Sequence, residues 1–319
     1  MTGRGLEDGL LAALRAADVP GAARGFADDA AVLAWPLGLD LVATHDMMAE
    51  GVHFTAGCPP ADVGWKLAAV NFSDLAAMGA KPVAVLLGAG VGARRDPVWA
   101  LGLLAGVRQA LDRFGGALVG GDTIRSWRSS AQVGALSALG SVPQGGALGR
   151  AGARAGDELW VSGTIGDAGL GLEVALGRRA ADPFLLGRYR RPTPRVALGL
   201  GLRGVASACM DVSDGLILDA ARLAQASGVA LEIRLGALPR SAQAAAAGVP
   251  PERLATLGDD YELLFTAPPH ARSRVKEAAT AARTPVTRIG DVREGAGLSL
   301  RGADGSEMPV PAGAGYVHA

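Results

Sequence analysis

This 319-residue sequence contains only two cysteines and four histidines, and aromatic residues make up 4% of it. Cys58 and Cys209 provide neither a disulfide framework nor a zinc-binding spacing, which is typical of a protein from a reducing compartment. The histidines are scattered and no Gly-x-Ser-x-Gly motif is present, so the sequence gives little support to nucleophilic catalysis. Lysine and arginine number 31, as do aspartate and glutamate. A net charge of zero favours neither nucleic acid nor an anionic membrane as a partner.

Long hydrophobic runs are also missing from the sequence. No segment approaches the roughly 18 uninterrupted apolar residues of a membrane-spanning helix. The N-terminal stretch carries Glu7 and Asp8 and has no site resembling a signal-peptide cleavage site. We therefore expect a cytoplasmic protein with no membrane attachment.

The patterned segments predict an α/β protein with two domains. Hydrophobic residues make up 49% of the chain, and short apolar runs of strand length alternate with amphipathic segments in both halves. Residues 30–35 and 39–44 are predicted to be the first two strands. The polar, glycine-rich stretch at residues 143–146 is the best linker candidate, which predicts domains at residues 1–143 and 144–319. The arginine-rich residues 188–195 are interrupted by two prolines and are interpreted as a solvated turn.

One predicted helix, within residues 66–82, is apolar on nearly every face and yet carries polar side chains in its middle. Such a helix must be buried, and a buried carboxylate such as Asp74 needs a cationic partner or a metal ion. Lys66 is the only cation at a plausible helical distance. Asn71 lies three residues before Asp74 and shares its face. The alternative is a structural helix with a hydrogen-bonded aspartate.

Aspartates recur where predicted strands end and in tight loops. The seven that are embedded among small or apolar neighbours are Asp28, Asp29, Asp46, Asp74, Asp122, Asp211 and Asp214. Carboxylate oxygens suit magnesium, which proteins hold through one or two carboxylates together with water and substrate phosphates. The recurrence predicts several magnesium ions, although for each aspartate alone a role in forming a turn or capping a helix is favoured.

Familiar nucleotide-binding motifs are missing or lie in the wrong context. There is no Gly-x-x-x-x-Gly-Lys motif, and the Gly-x-Gly-x-x-Gly match at residues 199–204 falls inside a predicted helix instead of between a strand and a helix. Among the histidines, His53 lies in a loop with Glu50 and is a candidate for ligand contact, with a core or surface role as the alternative.

Taken in order, the motifs resemble those of the thiamine-monophosphate kinase family. They are Asp28-Asp29, Thr44-x-Asp46, residues 70–80 around Asp74, Gly120-Gly121-Asp122-Thr123, residues 211–216 around Ser213, and residues 259–263 from Asp259 onward. The resemblance covers almost the whole chain. It implies a superfamily shared with aminoimidazole ribonucleotide synthetase, selenophosphate synthetase and a hydrogenase maturation factor. It also implies an N-terminal α/β domain whose sheet dimerises into a barrel-like core, with a C-terminal α/β domain packed against it and ATP in the cleft.

The resemblance also implies roles for individual residues. The metal ligands would be Asp29, Thr44, Asp46, Asp74, Asp122, Asp211 and Asp214. Contacts with ATP would come from Gly121, Asp122, Arg150 and Ser213. The thiamine phosphate pocket would be lined by His53, Asp259 and Tyr316. Two positions depart from the family: His45 replaces a usual threonine, and Asp259 replaces a usual glutamate, so the substrate contact must span one more methylene or a water.

We therefore expect a homodimeric kinase that transfers the γ-phosphoryl group of ATP to thiamine monophosphate, with several Mg²⁺ ions and no general base. The acceptor is a phosphate monoester that is largely ionised at neutral pH, since its second pKa is near 6. Two alternatives stay open. One is a synthetase of the same superfamily that activates an amide or a selenide, and the other is a non-catalytic nucleotide-binding partner protein.

Overall fold

The computed structural model describes residues 9, 11–15, 20–93, 98–125, 128, 130–311 and 313–316. The chain divides into two compact units. The first comprises Met1–Leu75 and Lys81–Gln144, and the second comprises Ala76–Ala80 and Gly145–Ala319. None of the helices in the described ranges combines the length and apolar character needed to cross a bilayer.

The first unit contains a four-stranded sheet and two long helices, and its described residues also include a 3-10 helix at Gly21–Phe26. Its elements are β1 (Leu39–Ala49), α1 (Pro60–Ala77), β2 (Lys81–Val91), α2 (Val98–Phe114), β3 (Ala117–Arg125) and β4 (Val133–Pro143). The strand order is β1-β4-β2-β3. Strand β4 is antiparallel to both β1 and β2, whereas β2 and β3 are parallel.

Helix α1 is buried as its composition predicts. Leu67, Phe72 and Leu75 are completely inaccessible to solvent. Glycines allow the backbones of α1 and α2 to approach closely, because a Cβ atom on Gly64 would lie 1.9 Å from the carbonyl oxygen of Leu103. Real Cβ atoms never come that near to an oxygen, so only glycine permits this crossing.

The second unit contains a seven-stranded mixed sheet of order β11-β10-β7-β9-β5-β8-β6. Its strands are β5 (Glu158–Ser162), β6 (Ala208–Val212), β7 (Ala230–Arg234), β8 (Glu262–Ala267), β9 (Val286–Arg293), β10 (Gly297–Arg301) and β11 (Glu307–Met308). Its helices are α3 (Asp167–Ala175), α4 (Pro183–Arg190), α5 (Val196–Leu202), α6 (Leu216–Ser227), α7 (Ala242–Ala246), α8 (Pro251–Leu254) and α9 (Arg272–Ala281). Every residue of β5, β6 and β8 is buried, so these three strands form the centre of the core.

The structure confirms the α/β class and corrects two local predictions. Residues 30–35 have no regular secondary structure, although the predicted strand at residues 39–44 is present and extends to Ala49. The interpretation of residues 188–195 as a solvated turn was wrong. Asp182 caps α4 by accepting a hydrogen bond from the backbone N–H of Leu185 (3.0 Å), and the helix carries Arg188 into the interior.

The Gly-x-Gly-x-x-Gly match lies largely in α5, where Gly199 packs against the backbone of Ala76. A Cβ atom on Gly199 would lie 2.0 Å from the carbonyl oxygen of Ala76. The glycine therefore permits close approach of two backbone segments. The motif lies mostly inside a helix, as the sequence predicts, and not between a strand and a helix as in a dinucleotide-binding fold.

Candidate active site

In the first unit, β1 and α1 bring together three of the predicted metal ligands. The Thr44 hydroxyl donates a 2.5 Å hydrogen bond to Oδ2 of Asp74. Asp46, two residues along β1, places its side chain on the same face of the strand as Thr44. Burial, the negative charge of Asp74 and a hydrogen bond to that side chain raise the pKa of Asp46 to about 6.

This arrangement has the donor chemistry of a site for a hard divalent cation. Two carboxylates and a hydroxyl converge, and the charge that faces Asp46 is another carboxylate. A divalent cation would remove that repulsion, and magnesium prefers such oxygen ligands. Asp46 and Asp74 therefore fit the magnesium ion that the sequence predicts, with Thr44 holding the Asp74 carboxylate in place.

A cavity of about 680 Å³ in the first unit is lined by further predicted residues. Asp28, Asp29, Gly121 and Asp122 line it, together with His45 and apolar side chains of β2 and β3. Asp28, Asp29 and Asp122 are exposed. The Asp28 carboxylate accepts a hydrogen bond from Nε of Arg24, and Oδ1 of Asp122 accepts one from the backbone N–H of Thr123 (2.7 Å).

Gly121 and His45 shape this cavity in different ways. A Cβ atom on Gly121 would lie 2.0 Å from the carbonyl oxygen of Leu87 on the neighbouring strand, so no other residue fits there. The imidazole Nδ1 of His45, at the position where the family has threonine, lies 2.8 Å from the hydroxyl of Ser137 on β4. His45 is thus directed across the sheet to a serine.

His53 is held in a short turn after β1. Its Nδ1 accepts a hydrogen bond from the backbone N–H of Ala49 (3.2 Å), which leaves Nε2 as the protonated nitrogen of the neutral ring. Its carbonyl oxygen accepts a bond from the ammonium group of Lys66 (3.1 Å). Lys66 is buried, and this contact links α1 to the His53 turn.

In the second unit, backbone hydrogen bonds gather four predicted residues at one place. The N–H of Asp259 donates to the carbonyl oxygen of Ser213, and the N–H of Tyr316 donates to that of Asp214, both at 2.8 Å. Tyr316 is 47% exposed. Ser213, Asp214, Asp259 and Tyr316 are therefore neighbours in the second unit.

Asp219 has a role in this group that the sequence reasoning missed. Its completely buried carboxylate accepts hydrogen bonds from the backbone N–H groups of Ser213 (3.1 Å) and Asp214 (3.0 Å), and from Arg222. Burial raises the pKa of Asp219 to about 6 against the opposing effect of these bonds. The available signal was its position in the first turn of α6, where an acidic side chain can reach preceding N–H groups.

The remaining predicted residues lie elsewhere in the second unit. Asp211 is a buried member of β6, and Arg150 is exposed with its carbonyl oxygen accepting a bond from Ser227 (2.9 Å). Within the part of the chain that the structure describes, no three His, Cys, Asp or Glu side chains form a group that could hold a metal ion by themselves. All of the proposed metal ligands, including Thr44, Asp46 and Asp74, therefore stay predictions.

Models of known protein families match both halves of the chain. Residues 27–142 match the AIR synthase related protein, N-terminal domain, and residues 154–303 match the AIR synthase related protein, C-terminal domain. The fold and the carboxylate group thus belong to a two-part AIR synthase related protein.

Individual relatives narrow this class. A thiamine-monophosphate kinase of Caulobacter vibrioides is 40% identical over 301 residues, which is 91% of this chain and 84% of the relative. The crystal structure of thiamine-monophosphate kinase from Stenotrophomonas maltophilia K279a is 37% identical, covers 88% of this chain and 90% of its own, and gives a TM-score of 0.80. The structure of AaThiL complexed with AMPPCP and TMP is 33% identical, with coverage of 99% and 97% and a TM-score of 0.76. The chain belongs to the thiamine-monophosphate kinase family.

Proposed function

We propose that this protein is an ATP-dependent kinase that converts thiamine monophosphate to thiamine diphosphate by direct transfer of the γ-phosphoryl group. The observation that carries the proposal is the half-buried group of Asp46, Asp74 and the Thr44 hydroxyl, in which the repulsion between the two carboxylates calls for a cation. Relatives that share most of the chain are thiamine-monophosphate kinases, and AaThiL is complexed with AMPPCP and TMP.

The acceptor determines what chemistry the protein must supply. A phosphate monoester is already largely dianionic at neutral pH, so its oxygen needs no general base to become a nucleophile. The main barrier is the approach of two anions, and the protein must neutralise and align them. A site rich in metal-binding carboxylates meets that requirement.

The residues divide this work between them. Asp46 and Asp74 would hold magnesium, which supplies charge neutralisation of the phosphates when it is bound. The other proposed metal ligands are Asp29, Thr44, Asp122, Asp211 and Asp214. Gly121, Asp122, Arg150 and Ser213 would contact ATP. Asp259, His53 and Tyr316 would contact thiamine monophosphate, with the Nε2–H group of His53 able to donate a hydrogen bond to a phosphate oxygen.

Three further parts of the proposal concern the whole protein. Residues 1–143 and 144–319 would form the two domains, and the protein would act in the cytoplasm. Two copies would form a homodimer through the N-terminal sheet. Strand β1 lies at one edge of that sheet and exposes Leu41 (52%) and Met47 (56%), and such an edge is a ready surface for pairing.

The test is an assay of the purified full-length protein with ATP, Mg²⁺ and thiamine monophosphate. We expect ADP and thiamine diphosphate in equal amounts, and no product when unphosphorylated thiamine replaces the monophosphate. Absence of thiamine diphosphate above background would overturn the proposal. Release of ADP with an amide or selenide acceptor would favour the synthetase alternative, and ATP binding without turnover would favour the non-catalytic one.

A further inference from the structure

The turn at residues 259–261 has an unusual backbone. Asp259 and Tyr261 have φ values of +71° and +50°, which place two non-glycine residues in the left-handed region on either side of Asp260. L-amino acids occupy this region at a cost, and they stay there only when the surrounding contacts determine the conformation. The residues that contact this turn are therefore the ones that keep it in the left-handed conformation.

Buried carboxylates secure the turn from the inside. Asp260, which is completely buried, accepts hydrogen bonds from the backbone N–H groups of Gly166 (2.6 Å) and Ala168 (3.1 Å) at the start of α3. Glu262, also completely buried, accepts bonds from Arg195 Nε (2.6 Å) and Nη2 (2.5 Å) and from Arg188 Nη2 (2.8 Å). The guanidinium group of Arg195 thus binds Glu262 through two parallel bonds, which fix direction as well as distance.

The outer side of the turn presents Asp259. The phenol hydroxyl of Tyr261 donates a 3.0 Å hydrogen bond to the Asp259 carboxylate. The backbone N–H groups of Asp259 and Tyr261 donate to the carbonyl oxygens of Ser213 and Val212, each at 2.8 Å. Asp259 and Tyr261 are partly exposed, whereas Asp260 and Glu262 are completely buried, so Asp259 lies on the outer side of the turn.

The balance of charge excludes an anion-binding role for the arginines. Arg188 and Arg195 face three carboxylates, those of Asp167, Asp260 and Glu262. Burial raises the pKa of Asp260 to about 7 despite the nearby arginine. Because the carboxylates already compensate the positive charge of the two arginines, the cluster has no excess positive charge with which to bind a phosphate. Its function must instead concern the turn that it contacts, residues 259–261.

We propose that Arg188, Arg195, Asp260 and Glu262 form a clamp that holds Asp259 and Tyr261 in the left-handed conformation and so positions Asp259 for thiamine monophosphate. These four are positioning residues that do not contact the substrate, whereas Asp259 does. This inference rests on the proposed function, because it takes Asp259 as a substrate contact. It assigns a role in substrate binding to a buried cluster that does not itself contact the substrate.

The chain offers a matched control for the clamp. Glu158 is also a buried carboxylate (2% exposed) that holds two arginines, Arg272 and Arg288. It pairs with Ala267, the last residue of β8, whereas Glu262 is the first residue of that strand. Loss of either carboxylate should therefore cost stability in the same sheet, but only Glu262 is next to the turn.

The experiment compares Glu262→Gln with Glu158→Gln in the full-length protein. We expect both to lower Tm. Amide hydrogen exchange of residues 259–261, measured without substrate, should accelerate at least tenfold in Glu262→Gln only. The KM for thiamine monophosphate should rise at least fivefold in that variant while the KM for ATP changes less than twofold, a split that a general loss of stability would not produce.

Each outcome decides the proposal. Equal exchange at residues 259–261 in the two variants, or an unchanged KM for thiamine monophosphate in Glu262→Gln, would overturn it. If Glu262→Gln does not fold, Arg195→Lys replaces it, since lysine keeps the charge but cannot form two parallel bonds. If the wild-type protein makes no thiamine diphosphate, the proposed function fails, and the exchange comparison alone supports or overturns the clamp.

Discussion

The two units use buried carboxylates in opposite ways. In the first, Asp46 faces the carboxylate of Asp74, and burial together with that charge raises the pKa of Asp46 to about 6. In the second, Glu262 is more deeply buried, yet the guanidinium groups of Arg195 and Arg188 hold the pKa of Glu262 below its usual range. The first group gains from an added cation, whereas the second already contains its cations.

The charge that faces each carboxylate distinguishes a carboxylate suited to bind a ligand from one suited to position its neighbours. A pair of like charges is maintained at a cost to the folded protein, and a bound metal ion offsets that cost. A compensated pair gains no advantage from a ligand but fixes the geometry of its neighbours. The same residue type would thus form the proposed magnesium site in one unit and the proposed clamp in the other, and the two differ in the charge that faces the carboxylate.

The largest expected effect comes from Asp74→Asn. Turnover should fall at least about 100-fold, because the variant removes one charge from the proposed magnesium site. Without magnesium the same variant should be more stable than the wild type by about 1 kcal/mol, since the repulsion with Asp46 is gone. Turnover is measured by thiamine diphosphate formation, and stability by urea unfolding with a chelator.

Magnesium provides the control for this variant. Added magnesium should raise the Tm of the wild type by mass action and leave that of Asp74→Asn unchanged. A variant that is destabilised without metal and keeps wild-type turnover would show that Asp74 is a structural residue and would end the contrast between the two units.

A second prediction concerns removal of a carboxylate from each unit. Glu262→Ala should lower the free energy of unfolding by about 3–5 kcal/mol, because it leaves Arg188 and Arg195 without their shared partner in the interior. Asp46→Ala in metal-free protein should cost less than about 1 kcal/mol, since it removes a repulsion together with a contact. Urea unfolding of both variants gives the comparison, and similar losses would contradict it.

A third prediction is a pH dependence that belongs to the second unit. The folded-state pKa of Asp260 is about 7, raised by burial against the opposing effects of Arg188 and two backbone N–H groups. The folded protein therefore binds a proton that the unfolded chain releases near pH 4, and stability should fall as pH rises from about 4 to about 7, by up to about 4 kcal/mol. Asp260→Asn should remove the part of this fall that comes from Asp260, and the smaller parts from Asp46 and Asp219, whose pKa values are raised to about 6, should stay.

Asp291 offers the matching control. Burial raises its pKa, but hydrogen bonds from Arg288 and Arg234 outweigh burial and hold the pKa below its usual value. The stability that Asp291 contributes is lost only as pH falls below about 4, so Asp291→Asn should change stability equally at pH 5 and pH 8. Unfolding curves at these two pH values, compared between the variants and the wild type, measure the difference directly.

The smallest expected effects come from the hydroxyl groups that contact the two carboxylates. Ser162→Ala should cost about 1–3 kcal/mol, because Ser162 donates to Glu262 (2.6 Å) and also accepts from the buried N–H of Leu263 (2.8 Å). Thr44→Val loses a single bond to Asp74 and should cost about 1 kcal/mol. Thr44→Val should in addition raise the magnesium concentration at half-maximal activity several-fold, whereas Ser162→Ala should leave it unchanged.

Particular residues show how far the sequence could be interpreted. Asp74 in an apolar helix was identified as a buried carboxylate in need of a partner, and the structure places it beside Thr44 and Asp46. Asp219 was missed, because an acidic residue in a first helical turn is common and its two N–H partners depend on the shape of the preceding loop. The strand predicted at residues 30–35 is absent, since an apolar run forms a strand only where a neighbouring strand accepts its hydrogen bonds.

The sequence by itself determined the α/β class, the buried character of α1 and the family, because periodicity and ordered motifs are local properties of the chain. The tertiary structure decided which carboxylates face cations. Arg188 and Arg195 lie 74 and 67 residues before Glu262, and no local pattern joins them. The free energy of a buried charge depends on the group that the fold places opposite it, and that placement is made by pairing strands that are distant in the chain.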